Sequence, residues 1–545
     1  MIIKLHSITL TNKRLEVLLK NFPKNSEVKA PDTTNKSGHP AYRQDNFIEL
    51  LHMLNILKLD ANTFYESTDE SINRLIYLVD TCASQDPYST CQIIIWSRVK
   101  GTGLRTINNI ASLLISKHLS QKEYAKRFYS LWDKKANKGG VIFRADDMYE
   151  IASIAKATSN KLSSAIKKGF KYNLEKLDSY SLLKYKKKIK DLINLTHPNP
   201  LLSKALVDTQ DNEGNYITIP TLEAIIKNYK VSANTWEVNN AEAGQMVSKA
   251  LKEGKISQEE AKDIYSKAAL SNWKELLENN KLPILAALRN LRSILSQEPD
   301  DELITLLVEL ITNTKLILEG KILPLQFDIA KDMVVSLNNK QSRIIVKALE
   351  DSYLAALPNL SHLLTGNTLV IVDISRSMRW NSITKNKSAQ NCLDKAALLG
   401  ATIAKASNSD LVIFGNKALY LNYSPNDSIF NISDEIKKYD LGGTNLSTAF
   451  GLITNDNRKY DRIFIFSDNE VNMGNTYKSY TNYIDKLANP YIYSVDLGAN
   501  GTDVIRGTKI KSLCGYSMSI FEEISKLEFN AIDHLEEVEK IGGQN

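Results

Sequence analysis

Cysteine is scarce in this chain. Only four cysteines occur among 545 residues, and no two of them form a Cys-x-x-Cys pair. This excludes a disulfide framework and favours a reducing compartment, so we expect a cytoplasmic protein.

Signals for membranes and nucleotides are also missing. No apolar run of about 18 residues or more occurs, and a run of that length is what a membrane-spanning helix requires. The N-terminus lacks the charged-then-apolar pattern of a signal peptide. Neither a GxGxxG fingerprint nor a Walker loop appears, and we expect no membrane partner.

The length and the charge distribution indicate more than one domain. A chain of 545 residues is too long for a single hydrophobic core. Residues 361–545 carry 19 basic and 21 acidic side chains, whereas residues 1–360 carry 50 and 41. The net charge of +9 on the first part predicts that any polyanionic partner binds there.

One apolar run in the last third ends abruptly in polar residues. Leu369-Val-Ile-Val372 predicts a strand buried on both faces, and it is followed by Asp373-x-Ser375-x-Ser377. In open α/β sheets the ligand site lies at the carboxyl ends of the strands. A carboxylate and two hydroxyl groups at that edge suit a hard divalent cation such as Mg²⁺.

Two further segments complete this pattern. Thr444 opens a helix after two glycines, and Asp468 follows a second buried strand, Ile463–Phe466. The five oxygen-bearing residues, Asp373, Ser375, Ser377, Thr444 and Asp468, resemble the metal-ion-dependent adhesion site of von Willebrand factor A domains. By that resemblance the hydroxyl groups contact the metal and the carboxylates hold it through water. The alternative is that these residues only cap helices and turns.

The two parts of the chain differ in periodicity. Residues 358–545 alternate strands and helices, which predicts a doubly wound parallel sheet. Residues 1–357 contain a dozen or more amphipathic helices and few strand signals, with residues 1–45 as an arm or loop. This favours an α-solenoid of imperfect helical pairs, although an all-α globule would have the same pattern.

Lysine is concentrated between residues 161 and 190. This window contains ten lysines against Glu175 and Asp178. On a continuous helix Lys184 and Lys188 would share a face, with Lys187 beside them. Such a face suits an RNA backbone, but a solvated lysine-rich helix is the alternative. A second basic stretch, with Arg98, Lys100 and Arg105, joins two helices, and either binds phosphate or forms a plain turn.

Several segments together resemble the Ro ribonucleoprotein autoantigen family, in which a TROVE module precedes a von Willebrand factor A domain. The segments that carry the resemblance are Asn62-Thr-Phe-Tyr65, Lys184-Tyr-Lys186 through His197-Pro198, Leu288-Arg-Asn-Leu291, Ile322-Leu-Pro324, Phe466-Ser-Asp468-Asn-Glu470 and Cys514-Gly515. The match covers roughly residues 40–530, and it points to a bacterial or phage member of the family.

The resemblance implies a ring of HEAT-like helical repeats completed by the A domain. It also implies that small noncoding Y RNAs bind on an outer basic surface, and that single-stranded ends of misfolded RNAs bind in a central hole. Lys184, Lys188 and His197 would be RNA contacts. The chain differs from the family in having Lys188 where Arg is frequent and Asn445 where Asp follows the metal-binding Thr.

We therefore predict a non-enzymatic, monomeric RNA-binding scaffold for small-RNA quality control, with a Y-like RNA and an exoribonuclease as partners. The competing class is a protein-interaction module whose metal binds a partner's carboxylate. A metal-dependent hydrolase is disfavoured, because no general base or second-metal carboxylate cluster is evident.

Overall fold

The computed structural model describes residues 30–56, 68–99, 104–133, 136–158, 161–229, 231, 247–361, 364, 366–380, 391–424, 426–507 and 509–516. These residues form two compact units. One unit contains the described residues before 144, 150–169 and those after 362, and the other contains 144–149 and 170–362. The predicted domain boundary between residues 357 and 358 stays a prediction.

Helices dominate the first two-thirds of the chain. They are α1 Asn46–Ile56, α2 Thr68–Gln85, α3 Pro87–Val99, α4 Arg105–Leu114, α5 Lys122–Phe128, α6 Ala145–Ala157, α7 Ser164–Lys176, α8 Ser179–Lys184, α9 Lys186–Thr196, α10 Thr221–Ile226, α11 Gln258–Glu278, α12 Ile284–Leu295, α13 Asp301–Ile311, α14 Thr314–Glu319, α15 Pro324–Val335, α16 Lys340–Ala355 and α17 Pro358–Ser361. Residues 247–252 are also helical. No helix among the described residues is both long and apolar enough to cross a membrane.

Polar side chains begin several of these helices. Asp300 and Asn313 each accept a hydrogen bond from a backbone N–H in the first turn of α13 and α14. Ser257 and Glu260 form a reciprocal capping box at the start of α11. Such caps satisfy backbone donors that have no partner inside the helix. α15 and α16 then pack against each other as a helical pair.

The strands are β1 Thr33–Thr34, β2 Pro40–Arg43, β3 Leu206–Gln210, β4 Tyr216–Pro220, β5 Thr368–Asp373, β6 Asp410–Phe414, β7 Ala418–Tyr420, β8 Arg462–Ser467, β9 Tyr491–Asp496, β10 Thr502–Asp503 and β11 Ile510–Cys514. β3 and β4 form an antiparallel hairpin. The principal sheet has the order β11-β9-β8-β5-β6-β7. All its pairings are parallel except that of the edge strand β7.

Helices connect the strands of this sheet. They are α18 Arg376–Trp380, α19 Cys392–Ser407, α20 Ile429–Lys438, α21 Ser447–Asn455 and α22 Thr476–Lys486. Every residue of β5 and of β8 is buried, as expected for central strands covered on both faces. The predicted combination of a helical part with a doubly wound α/β part is confirmed. Closure of the helices into a ring stays a prediction.

Part of the predicted arm forms β structure. β1 and β2 make a hairpin, and β2 pairs antiparallel with β10. A three-stranded sheet of order β1-β2-β10 results. The hairpin turns at Gly38, whose φ of 77° is accessible to glycine at little cost. The arm is therefore attached to the segment that connects β9 and β11 of the principal sheet.

Candidate metal centre and RNA-binding surface

The predicted metal ligands lie at the carboxyl edge of the principal sheet. β5 lies between β6 and β8, so the winding direction of the chain reverses between β5 and β8. Val372 of β5 pairs with Phe466 of β8, and therefore Asp373 and Asp468 begin neighbouring loops. A reversal of this kind opens the crevice where doubly wound sheets bind ligands.

Hydrogen bonds hold the first loop in place. The Asp373 carboxylate accepts from the Ser375 backbone N–H at 2.9 Å and from the Ser467 hydroxyl group at 2.6 Å. The hydroxyl oxygens of Ser375 and Ser377 are 3.2 Å apart. Adjacent ligands of an octahedral Mg²⁺, each about 2.1 Å from the ion, would be about 3.0 Å apart. The spacing of the two serines therefore fits two neighbouring metal ligands.

The loop that carries Thr444 is attached to its neighbours through its backbone. The Thr444 N–H donates to Asn472 Oδ1 at 2.9 Å, and the Asn472 N–H donates back to the Thr444 carbonyl at 3.0 Å. Asn416 accepts from the Gly443 N–H at 2.7 Å. Gly442 has φ 79°, and a Cβ there would lie 2.5 Å from Asn416 Nδ2. The positive φ and the close approach to Asn416, which follows β6, both favour glycine at position 442.

Burial makes the two aspartates costly in their ionised form. Asp373 and Asp468 are both completely buried. Burial raises the pKa of Asp373 to about 6, against an ordinary value of 3.8. Burial first, and then the Asp373 charge, raise the pKa of Asp468 well above its ordinary value. No Lys or Arg among the described residues forms an ion pair with Asp373. A divalent cation would supply the missing positive charge.

The oxygen-bearing side chains at this edge fit a hard cation whose ligands include both protein oxygens and water. Among the described residues no group of three or more His, Cys, Asp or Glu side chains surrounds a common metal position. Hydroxyl oxygens and water would therefore have to complete the coordination around the two carboxylates. Mg²⁺ keeps several of its waters when it binds to proteins. The cation would be held by Ser375, Ser377 and Thr444, with Asp373 and Asp468 behind them.

The arm contacts the loop after β8, which a reading of the sequence did not anticipate. Asn35 Nδ2 donates to the Val471 carbonyl at 2.6 Å. Glu470 Oε2 accepts from the backbone N–H of Ser37 at 3.1 Å, and its carboxylate is completely buried. Burial raises the pKa of Glu470 to about 7. The arm therefore fixes the segment that directly follows Asp468.

A buried polar network lies beside this loop. Asp496 ends β9, and its carboxylate lies 3.5 Å from His52 Nδ1. Gln44 Nε2 lies 3.1 Å from the same nitrogen and 2.8 Å from Asp503 Oδ1. The strand-end position of Asp496 follows the same rule as Asp373 and was detectable from the sequence. His52 and Gln44 were not, because they lie more than 440 residues from the acids they meet.

The predicted basic helix is interrupted at Tyr185. α8 ends at Lys184 and α9 begins at Lys186, because Tyr185 has φ −110° and ψ 25°. The expectation that Lys184 and Lys188 share a face of one continuous helix is therefore wrong. The two amines still converge, since they lie 5.9 and 5.8 Å from the centre of the Tyr185 ring.

The other two predicted RNA contacts on this segment are Lys187 and His197. Lys187 is exposed on α9. His197 is exposed at the end of α9, with φ 47° and ψ 61°. Nine residues of helix separate it from Lys188, which corresponds to about 13 Å. The structure therefore places Lys184 and Lys188 beside the same tyrosine ring and His197 at the far end of the helix.

The second basic stretch is partly neutralised. Arg105 Nε lies 2.7 Å from Glu150 Oε2. The Arg98 guanidinium lies over the Phe143 ring, 4.9 Å from its centre. Lys100 lies outside the described residues. The assignment of these three residues to RNA stays a prediction, and the Glu150 partner makes Arg105 the weaker candidate.

Comparisons with known proteins agree with this architecture. Residues 220–391 match the TROVE domain family, and residues 367–487 match the family described as the Ro60 vWA domain. The crystal structure of Deinococcus radiodurans RO (RSR) protein aligns with a TM-score of 0.55, covering 90% of this chain and 100% of that chain. The chain belongs to the Ro family.

The sequence identity to the Deinococcus protein is 16%, so that likeness shows the fold alone. No curated protein sequence matches the chain. For this Ro-family chain, the A-domain match includes every predicted metal ligand, from Asp373 to Asp468. The Lys184 surface precedes the TROVE match, which begins at residue 220. The family match therefore does not cover this surface, and only the geometry around Tyr185 indicates that it binds RNA.

Proposed function

We propose that this chain is a non-enzymatic scaffold that binds a small, Y-like noncoding RNA through α8 and α9. Ro-family proteins are RNA-binding ribonucleoproteins, and the proposal transfers that class of ligand to this chain. The proposal is supported mainly by one observation: the amines of Lys184 and Lys188 both lie beside the Tyr185 ring. Phosphate oxygens of RNA would relieve the repulsion between these cations.

The proposed role is small-RNA quality control. Single-stranded ends of misfolded RNAs are the second proposed ligand, and an exoribonuclease that degrades them is the proposed protein partner. The protein would act as a monomer in the cytoplasm. Mg²⁺ at Asp373 and Asp468 would stabilise the A domain, and the competing role of that metal is to bind a partner's carboxylate.

Co-purifying nucleic acid tests this function. The wild-type protein should elute with an RNase-sensitive component that absorbs strongly at 260 nm. Lys184→Ala combined with Lys188→Ala should remove most of it. The matched control is Lys167→Ala with Lys168→Ala, which removes two exposed lysines of α7 and should retain the RNA. RNA-free wild-type protein that captures a protein partner only with Mg²⁺ would instead support the adhesion-type module.

A further inference from the structure

One arginine far from the basic window in sequence reaches Tyr185. The Arg144 Nη2 group donates a hydrogen bond to the Tyr185 hydroxyl group at 2.6 Å, and its guanidinium carbon lies 5.9 Å from the ring centre. Lys188 lies 5.4 Å from the Tyr149 ring as well. We call Arg144, Tyr149, Lys184, Tyr185 and Lys188 the Tyr185 cluster.

The backbone of Arg144 is held firmly. Its N–H donates to Asp147 Oδ2 at 3.0 Å, and its carbonyl accepts from the Asp147 N–H at 3.0 Å. Asp147 is completely buried. The side chain extends from this fixed point and is 54% exposed. The guanidinium is therefore both positioned and accessible to a ligand.

Several N–H groups of the Arg144 guanidinium remain available for a ligand. Nε lies 3.1 Å from Asp146 Oδ1, and Nη2 donates to Tyr185. A guanidinium has five N–H groups, so three are not used by these partners. Two N–H groups of Arg can bind a phosphate side by side, whereas Lys acts as a point charge. Arg144 is the only group of the Tyr185 cluster that can bind phosphate in this way.

The charges of the cluster favour an anion. Lys188 forms no ion pair with a carboxylate among the described residues, and its contacts there are the rings of Tyr149 and Tyr185. Three cations lie around one ring, and they repel each other. Asp146, 3.1 Å from Arg144 Nε, offsets part of this charge, and the negative face of the ring offsets a further part. A phosphodiester would compensate for the rest.

We propose that Arg144 is an RNA-binding residue, which Tyr185 positions so that its guanidinium binds one phosphate between the phosphates bound by Lys184 and Lys188. This inference rests on the proposed function and names the group that determines phosphate geometry within it. A forked donor also binds carboxylates, so the rings decide between the two ligands. Tyr149 and Tyr185 are only half-buried, and unpaired RNA bases can stack on such rings, which favours RNA over an acidic peptide.

The test measures binding of a fluorescein-labelled RNA hairpin by fluorescence anisotropy over a series of salt concentrations. Arg144→Gln should weaken binding about tenfold and lower the salt slope by about one phosphate contact. Arg144→Lys should keep the slope but lose affinity, because the charge remains and the fork is lost. Tyr185→Phe, which removes only the hydroxyl anchor, should weaken binding about threefold.

Lys190→Ala is the matched control. It removes one cation from the same helix, but Lys190 Nζ lies 2.7 Å from Asn228 Oδ1 and makes no ring contact with the Tyr185 cluster. Its effect should be smaller than that of Arg144→Gln. Melting temperatures equal to that of the wild type would show that the variants are folded.

The outcomes separate the two proposals. Wild-type protein that fails to bind the hairpin contradicts the proposed function itself. If the wild type binds the hairpin and Arg144→Gln binds it with the same affinity, only the role of Arg144 is overturned. Full affinity in Arg144→Lys overturns the claim of forked phosphate binding, and equal competition by a poly-glutamate peptide overturns the choice of RNA.

Discussion

Replacing Asp373 by Asn removes one of two buried carboxylates while preserving the size of the side chain. In the metal-free protein this change should be stabilising at about pH 8. The pKa of Asp373 rises on folding from 3.8 to about 6 because the side chain is buried. That difference corresponds to about 3 kcal/mol of lost stability once the group is ionised.

The sign follows from linkage. An acid whose pKa is higher in the folded state contributes its full stability below its unfolded pKa, and this contribution is lost as the pH rises through the folded value. Stability of the metal-free wild type should therefore fall between about pH 4 and pH 7. Asp373→Asn should show a smaller fall, because it lacks one of the buried acids, whereas Glu470 still titrates with a raised pKa of about 7.

Mg²⁺ should reverse this ranking. If it binds only the folded protein, a concentration about 1,000 times its Kd stabilises the wild type by about 4.1 kcal/mol, which exceeds the about 3 kcal/mol by which burial of the ionised Asp373 destabilises it. The variant should gain little, because it lacks one of the charges that attract the cation. Calorimetry in EDTA and in Mg²⁺, at about pH 5 and about pH 8, measures both effects.

Asp485→Asn is the control, since Asp485 is exposed on α22 and undergoes the same chemical change. It should follow the wild type under all four conditions. The reasoning is refuted if Asp373→Asn is less stable than the wild type in EDTA at about pH 8. It is also refuted if Mg²⁺ stabilises the variant as much as the wild type.

Three further predictions concern the same two sites. Lys184→Ala with Lys188→Ala should reduce the slope of log K against log salt by roughly 0.7–0.9 for each lost phosphate contact, and an unchanged slope in binding titrations would contradict phosphate contact. Asp373→Asn should leave RNA affinity within about threefold, and a tenfold loss in a folded variant would show that the metal centre takes part in RNA binding. Asn472→Ala should weaken Mg²⁺ binding by about tenfold or more, because Thr444 loses its backbone tether. Isothermal titration would detect this, and an unchanged Kd would contradict it.

Several features of this protein are determined by short stretches of sequence. The apolar run before Asp373 specifies a strand buried on both faces, and the structure places β5 at Thr368–Asp373. The polar residues after it begin a loop at the strand end, because β-branched residues give way there to Asp and Ser. Patterns of this kind act over a few residues, so the sequence alone reveals them.

Other features depend on contacts that only the folded chain makes. The arm residue Asn35 bonds to Val471, which lies 436 residues away, and Arg144 reaches Tyr185 across 41 residues. No proline or glycine lies next to Tyr185, so the local sequence does not predict the break in the helix. Local propensity favours a continuous helix there, and tertiary contacts override it. The sequence alone places the candidate metal ligands Asp373 and Asp468 at the ends of buried strands, whereas the arrangement of cations around Tyr185 was decided by tertiary packing.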